Sequence, residues 1–198
     1  MISKVIIKQC LTTTLLMSLS STLVANTPSA TSNRPDVDNS LRQLLKSTIA
    51  SSNSFEDRFD AEVWLVAMSE KLKPYIKKPA ERLRILRAVH KEAKRSQLEP
   101  ELVLAIIQIE SAFDPYAISY VGAQGMMQVM PFWKKEIGRP NDNLIDITTN
   151  LQYGCTILKH YLKREKGHIT NALARYNGSY GSYKYAKKVM DAWLDYWR

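Results

Sequence analysis

From Asp57 onward, apolar residues recur at intervals of three and four, the spacing of helices that bury one face. Phe59, Val63, Val66 and Ala67 fall on one side of a first helix. Pro74 ends it, because proline removes a backbone donor and crowds the preceding turn. A second helix starts at Pro79 and turns Leu83, Leu86, Val89, His90 and Ala93 inward. A third starts near Pro100, where Leu102, Val103, Leu104, Ile106, Ile107 and Ile109 leave almost no polar face. A helix that is apolar all round belongs at the centre of its domain. Residues 146–165 and 170–176 also read as helical, and Met190, Trp193, Leu194 and Trp197 form the stripe of a last helix. No strand-like alternation of useful length occurs, so the predicted fold class is all-α, in one domain from about residue 57 to 198.

The first 56 residues lack this pattern. Lys4 and Lys8 precede a mostly apolar, Ser/Thr-rich run from Leu11 to Val24, and Ala25 follows as a cleavage residue. Residues 1–25 are therefore expected to be an export signal; the competing reading is a retained anchor, against which the run's shortness and hydroxyls argue. Cys10 lacks the surroundings of a lipid-attachment cysteine. Residues 26–56, rich in Ser, Thr, Asn and Pro, read as a linker with one short helical piece at "LRQLLKSTI".

Composition adds limits. The 198 residues are 45% hydrophobic and 24% charged, as in a globular chain. The formal charge of +9 falls to +7 if Lys4 and Lys8 leave with the signal. An exported basic chain meets envelope polymers and anionic surfaces rather than nucleic acid. Its lysines are dispersed over "KLKPYIKK", "KEAKR" and "KYAKK", which reads first as solvated helix faces. Cleavage would leave Cys155 alone, so no disulfide framework is expected. Cys155 shares a stripe with Leu151, Leu158 and Leu162 and reads as a buried, inert thiol. His90, His160 and His168 have no metal-ligand spacing, and there is no phosphate-binding glycine loop, so neither metal nor cofactor is expected.

The chemistry concentrates where the third helix ends. Glu110 stands at the helix C-terminus, where the dipole and apolar neighbours both disfavour a carboxylate, and its pKa should be raised. A carboxyl still partly protonated near neutrality is what a general acid requires. The bland alternative is a surface glutamate beside Ser111. Asp114, the nearest other acid, precedes Pro115 and reads as a turn residue. Gly122 and Gly125 permit a loop that wraps back to set Ser119, Gln128 and Met130 around Glu110.

Three blocks in order resemble a known family: E-S-x-F-D-P-x-A-x-S-x-x-G-A-x-G-M-M-Q-V-M-P from Glu110, D-I-x-x-N-L-x-x-G from Asp146, and A-R-Y-N-G from Ala174. They are similar to the soluble lytic transglycosylases over roughly residues 80–198. The resemblance implies a lysozyme-like helical domain whose central buried helix ends at the catalytic glutamate, Glu110. It implies a sugar cleft lined by Ser119, Gln128, Met130, Tyr176 and Asn177. The implied reaction cleaves the MurNAc-GlcNAc β-1,4 bond of peptidoglycan and leaves a 1,6-anhydro end. One carboxylate suffices if the sugar's 2-acetamido group supplies the nucleophile, an exception to the two-acid rule.

Peptidoglycan glycan strands are the implied partner of a monomeric periplasmic enzyme, peripherally associated with the envelope. A hydrolase of goose-lysozyme type and a catalytically silent glycan-binding or assembly protein remain alternatives. Two departures stand out. Phe132-Trp133 replaces the Gly-Thr that follows Met-Pro in many relatives, and "NGSYGSYKY" lacks the acid that some place before the tyrosine matching Tyr185.

Overall fold

The computed structural model describes residues 58–198; the expected signal (1–25) and linker (26–56) lie outside the described residues. The regular elements of the described part are all helical: α1 (Arg58–Leu72), α2 (Pro79–Arg95), α3 (Pro100–Ser111), α4 (Trp133–Ile137), α5 (Ile147–Arg164), α6 (Ile169–Tyr176), α7 (Lys184–Ala192) and a closing π-helical turn, Trp193–Trp197. Pairing of extended backbone among the described residues is confined to two isolated bridges, Ile118 with Gln124 and Gln124 with Val129. None of the described helices is long and apolar enough to cross a membrane.

Local chemistry explains the helix starts. Pro79 and Pro100 open α2 and α3 after extended residues Lys78 and Glu99, because proline lacks the N–H that a first turn leaves unpaired. Asp146 opens α5 by accepting the Thr149 N–H at 2.8 Å. Helix α3 is the predicted central one: Leu102 through Ile107 are all buried, and α2, α7 and the π-turn pack around it. The predicted inner residues of α2, Leu83, Leu86, Val89, His90 and Ala93, are likewise buried.

The end of α3 is set by two left-handed residues, Ala112 (φ 50°) and Phe113 (φ 67°). Each costs about 1–2 kcal/mol without glycine's freedom. The reversal drops Phe113 into the core at 2% exposure, between the rings of Tyr75 (5.1 Å) and Trp197 (5.5 Å). Burial of a phenylalanine contributes about 1.5–3 kcal/mol, the same order as the strain. Trp197 in turn donates its indole N–H to Gln108 Oε1 at 2.6 Å, tying the chain's last turn to the central helix.

Two expectations need correction. The buried stripe of α1 is Ala61, Leu65, Met68 and Leu72, whereas Phe59 and Val63 are 73% and 53% exposed, Ala67 is exposed and Val66 is half-buried. Both stripes have helical spacing, because α1 carries apolar residues nearly all round; tertiary packing against α2 selected one. The terminal stripe also breaks: Trp193 and Trp197 are buried but Leu194 is exposed. The backbone there closes i→i+5, with Arg198 N–H on Trp193 O at 2.9 Å, and this wider winding rotates Leu194 away. Finally, the short α4 was not anticipated.

Candidate active site

Glu110 lies on the last turn of α3 and faces a cleft of about 350 Å³, shared with Ile109, with Asn177 at the end of α6, with Ser179 and Ser182 of the following loop, and with Tyr185 of α7. Burial pushes its carboxyl up from 4.5 to about 7, against the opposing effect of a hydrogen bond from Tyr185. That bond is short, the Tyr185 hydroxyl donating to Glu110 Oε1 at 2.6 Å. Burial first and the Glu110 charge second hold the phenols of both Tyr176 and Tyr185 well above their ordinary range. The cluster is therefore one titrating carboxyl beside two neutral tyrosines. It can give up a proton and take one back near neutrality.

The segment after α3 is shaped by backbone hydrogen bonding. Asp114 Oδ1 accepts the Tyr116 N–H at 2.9 Å, which closes the Asx turn expected at Asp-Pro. Ser111 fastens the loop to α3 by donating to Met126 O at 2.8 Å. Ser119 Oγ accepts the Ala123 N–H at 3.0 Å, and Gln128 Nε2 donates to Ala117 O (3.1 Å) and Gly125 O (2.9 Å). The Tyr176 hydroxyl donates to Met127 O at 2.7 Å. Ser119, Gln128 and Tyr176 thus bond to the loop's own backbone. Of the expected sugar-contacting residues, Asn177 lines the cleft with Glu110; Ser119, Gln128, Met130 and Tyr176 are not part of that wall. Met130 is half-buried, and its carbonyl accepts the Trp133 N–H that starts α4.

Two residues went without a role in the sequence reading, although Asn150 stands in the block that begins at Asp146 and Tyr185 matches a family tyrosine. Tyr185 gave no local signal as Glu110's partner. Asn150, fully buried on α5, accepts the Met127 N–H at 2.7 Å and donates to Gln124 O and Leu144 O at 2.8 Å each. Its backbone neighbour across the loop is Gly125 (φ +73°), where a Cβ would meet Asn150 Nδ2 and Leu144 O at 2.5 Å. The signal available was a polar residue on the inner stripe of an amphipathic helix, which must find buried partners. Phe132 and Trp133 stack at 5.1 Å, with Trp133 packed edge-on against Tyr161 and Phe132 exposed.

This helical frame, with a carboxyl raised by burial at the end of a central helix, has a counterpart among known proteins. The Transglycosylase SLT domain family model matches residues 87–192, and the chain belongs to that family. It is 36% identical over 110 residues to a membrane-bound lytic murein transglycosylase C of Yersinia pestis, covering 48% of this chain and 31% of that protein. It is 40% identical over 81 residues to a transglycosylase of Enterobacteria phage PRD1, covering 41% and 29%. The chain thus spans under a third of each of these curated relatives. A solved structure of an inactive mutant of lytic transglycosylase Slt from Pseudomonas aeruginosa shares the fold at a TM-score of 0.51 and 20% identity, over 78% of this chain and 36% of that one.

Proposed function

We propose that the chain is a peptidoglycan lytic transglycosylase that cuts the MurNAc-GlcNAc β-1,4 bond, with Glu110 as its acid and then its base. The observation that carries this reading is a single carboxyl held at about 7 in an open cleft, while Asp114 is committed to a turn. Protonated Glu110 gives its proton to the glycosidic oxygen as the C1–O bond breaks. The carbonyl oxygen of the sugar's 2-acetamido group closes on C1 from the other face, so no second carboxylate is needed. Glu110, now a carboxylate, takes the proton of the C6 hydroxyl as that oxygen displaces the acetamido oxygen from C1. The products are a 1,6-anhydro end and a free 4-hydroxyl, and Glu110 has its proton back.

Tyr185 holds the carboxyl in one orientation throughout. Asn177 meets the sugar in the cleft. Ser119, Gln128, Met130 and Tyr176 shape the adjoining wall, through the loop that three of them brace.

On the same reading residues 57–198 form the transglycosylase domain of a monomer. Residues 1–25 deliver it to the periplasm, where it associates peripherally with the envelope and its mature form begins near Asn26. N-terminal sequencing of the exported protein tests the last point. Mass spectrometry of fragments released from purified peptidoglycan tests the activity. Anhydro-ended muropeptides are expected; reducing ends would instead make it a hydrolase, and intact strands a glycan-binding protein.

A further inference from the structure

The cleft at Glu110 has a second charged feature. Lys184 and Lys188 both line it, four residues apart on α7 and so on one face of that helix, to either side of Tyr185. Both are exposed, and neither has an ion-pair partner among the described residues. Their neighbour Lys187 differs: it is paired with Asp191 at 2.7 Å and does not line the cleft. The charged side chains of the cleft are therefore Glu110 and two unneutralised ammonium groups. Like charges at this spacing slightly disfavour a helix, and a bound anion would relieve them.

We infer that Lys184 and Lys188 form a carboxylate-binding subsite for the stem peptide of the glycan, so that the enzyme prefers strands whose peptides carry free carboxylates. This rests on the transglycosylase reading of the same cleft. The stem peptide hangs by a lactyl ether from the muramoyl ring whose C1 is cut, so on that reading it lies near the residues that surround Glu110, Lys184 and Lys188 among them. Its free carboxylates are the strand's anionic groups. Lysine suits them: a point charge on a flexible four-carbon stem follows carboxylates of variable position, where the rigid fork of arginine would demand one geometry.

The test uses full-length mature protein and three soluble glycan preparations from one source: strands with intact stems, strands whose stem carboxylates have been converted to amides, and strands stripped of peptide. Appearance of anhydro ends gives kcat/KM on each. Wild-type protein is expected to prefer intact over amidated strands by about tenfold, the order that two exposed charge contacts support. High salt should shrink that ratio. In the Lys184→Gln/Lys188→Gln double variant the ratio should fall to about one, and in Lys184→Arg/Lys188→Arg it should stay above one but below the wild-type value, because the charge is kept while the fixed fork fits fewer carboxylate positions. Cleavage of intact and amidated strands at one rate by wild-type protein, or an unchanged ratio in the double glutamine variant, overturns the subsite and leaves the transglycosylase reading standing. Folded wild-type protein that cuts none of the three overturns that reading, and the subsite with it.

Discussion

Replacing Glu110 by glutamine tests the site through two independent quantities. The change keeps the side chain's shape, and its oxygen still accepts the Tyr185 hydroxyl, but it removes the titrating proton. Consider stability first. The folded carboxyl titrates at about 7 against 4.5 ordinarily, so between those values the folded state holds a proton that the unfolded state has lost. Stability must therefore fall as pH rises through that window, and the loss is complete above it. The full shift corresponds to about 3 kcal/mol, and the carboxyl's partial exposure to the cleft brings the expected figure to about 2 kcal/mol.

His90 opposes this trend in wild-type protein, because burial and Lys94 lower its pKa from 6.5 to about 4, and its contribution grows as pH rises over that range. The difference between wild type and variant cancels His90. Urea unfolding of both proteins at pH 4 and pH 8 should show the variant gaining about 2 kcal/mol relative to wild type at the higher pH, with equal m-values. Anhydro-end release should fall at least 10²–10⁴-fold, since one group carries both proton transfers. A stability difference that does not change with pH would refute the perturbed carboxyl. Undiminished anhydro product from a folded variant would return Asp114 to the chemistry.

Other substitutions probe what surrounds it. Tyr185→Phe removes the one interaction that lowers the Glu110 pKa, so the alkaline limb of the pH–rate profile should move to higher pH; an unmoved limb counts against the hydrogen bond. Asn150→Ala takes the partner from the Met127 N–H and from Leu144 O, while Gln124 O keeps the Val129 N–H, and should cost about 2–5 kcal/mol by urea denaturation. Gly125→Ala forces a Cβ to 2.5 Å from Leu144 O at a positive φ, and should cost about 2–4 kcal/mol while lowering activity through the displaced loop. Cys155 is buried with its thiol pushed up to about 12, so labelling by a thiol reagent should follow global unfolding and speed up in urea.

The helices that were legible in the sequence are those whose boundaries rest on single residues: Pro79 and Pro100 at the starts of α2 and α3, and Asp146 before α5. The raised pKa of Glu110 was legible from its place, at the C-terminal end of a largely apolar helix, where the dipole and the loss of water both disfavour a carboxylate. The face of α1 was not, because Phe59-Val63 and Leu65-Met68-Leu72 are equally good stripes until a neighbour covers one. The i→i+5 closure at Trp193 was equally hidden, being a matter of how two tryptophans reach the core rather than of any residue's propensity.

The site residues divide along a different line, between what a residue is and what lies within its reach. Ser119 and Gln128 carry the donors and acceptors a sugar would need, and the turns at Gly122, Gly125 and Gln128, all with positive φ, also bring backbone groups within hydrogen-bond reach of both. Tyr185 shows the converse: 75 residues from Glu110, it reaches the carboxyl because α7 packs directly on α3. Asn150 joins the two cases, because from a separate helix it holds the loop at Gln124 O and at Met127 N–H, the residue before Gln128. If that coupling holds, Asn150→Ala should lower the rate of cleavage more than its stability loss explains under conditions where the protein stays folded. A variant that is folded, destabilised and fully active would show that the cleft does not depend on the braced loop.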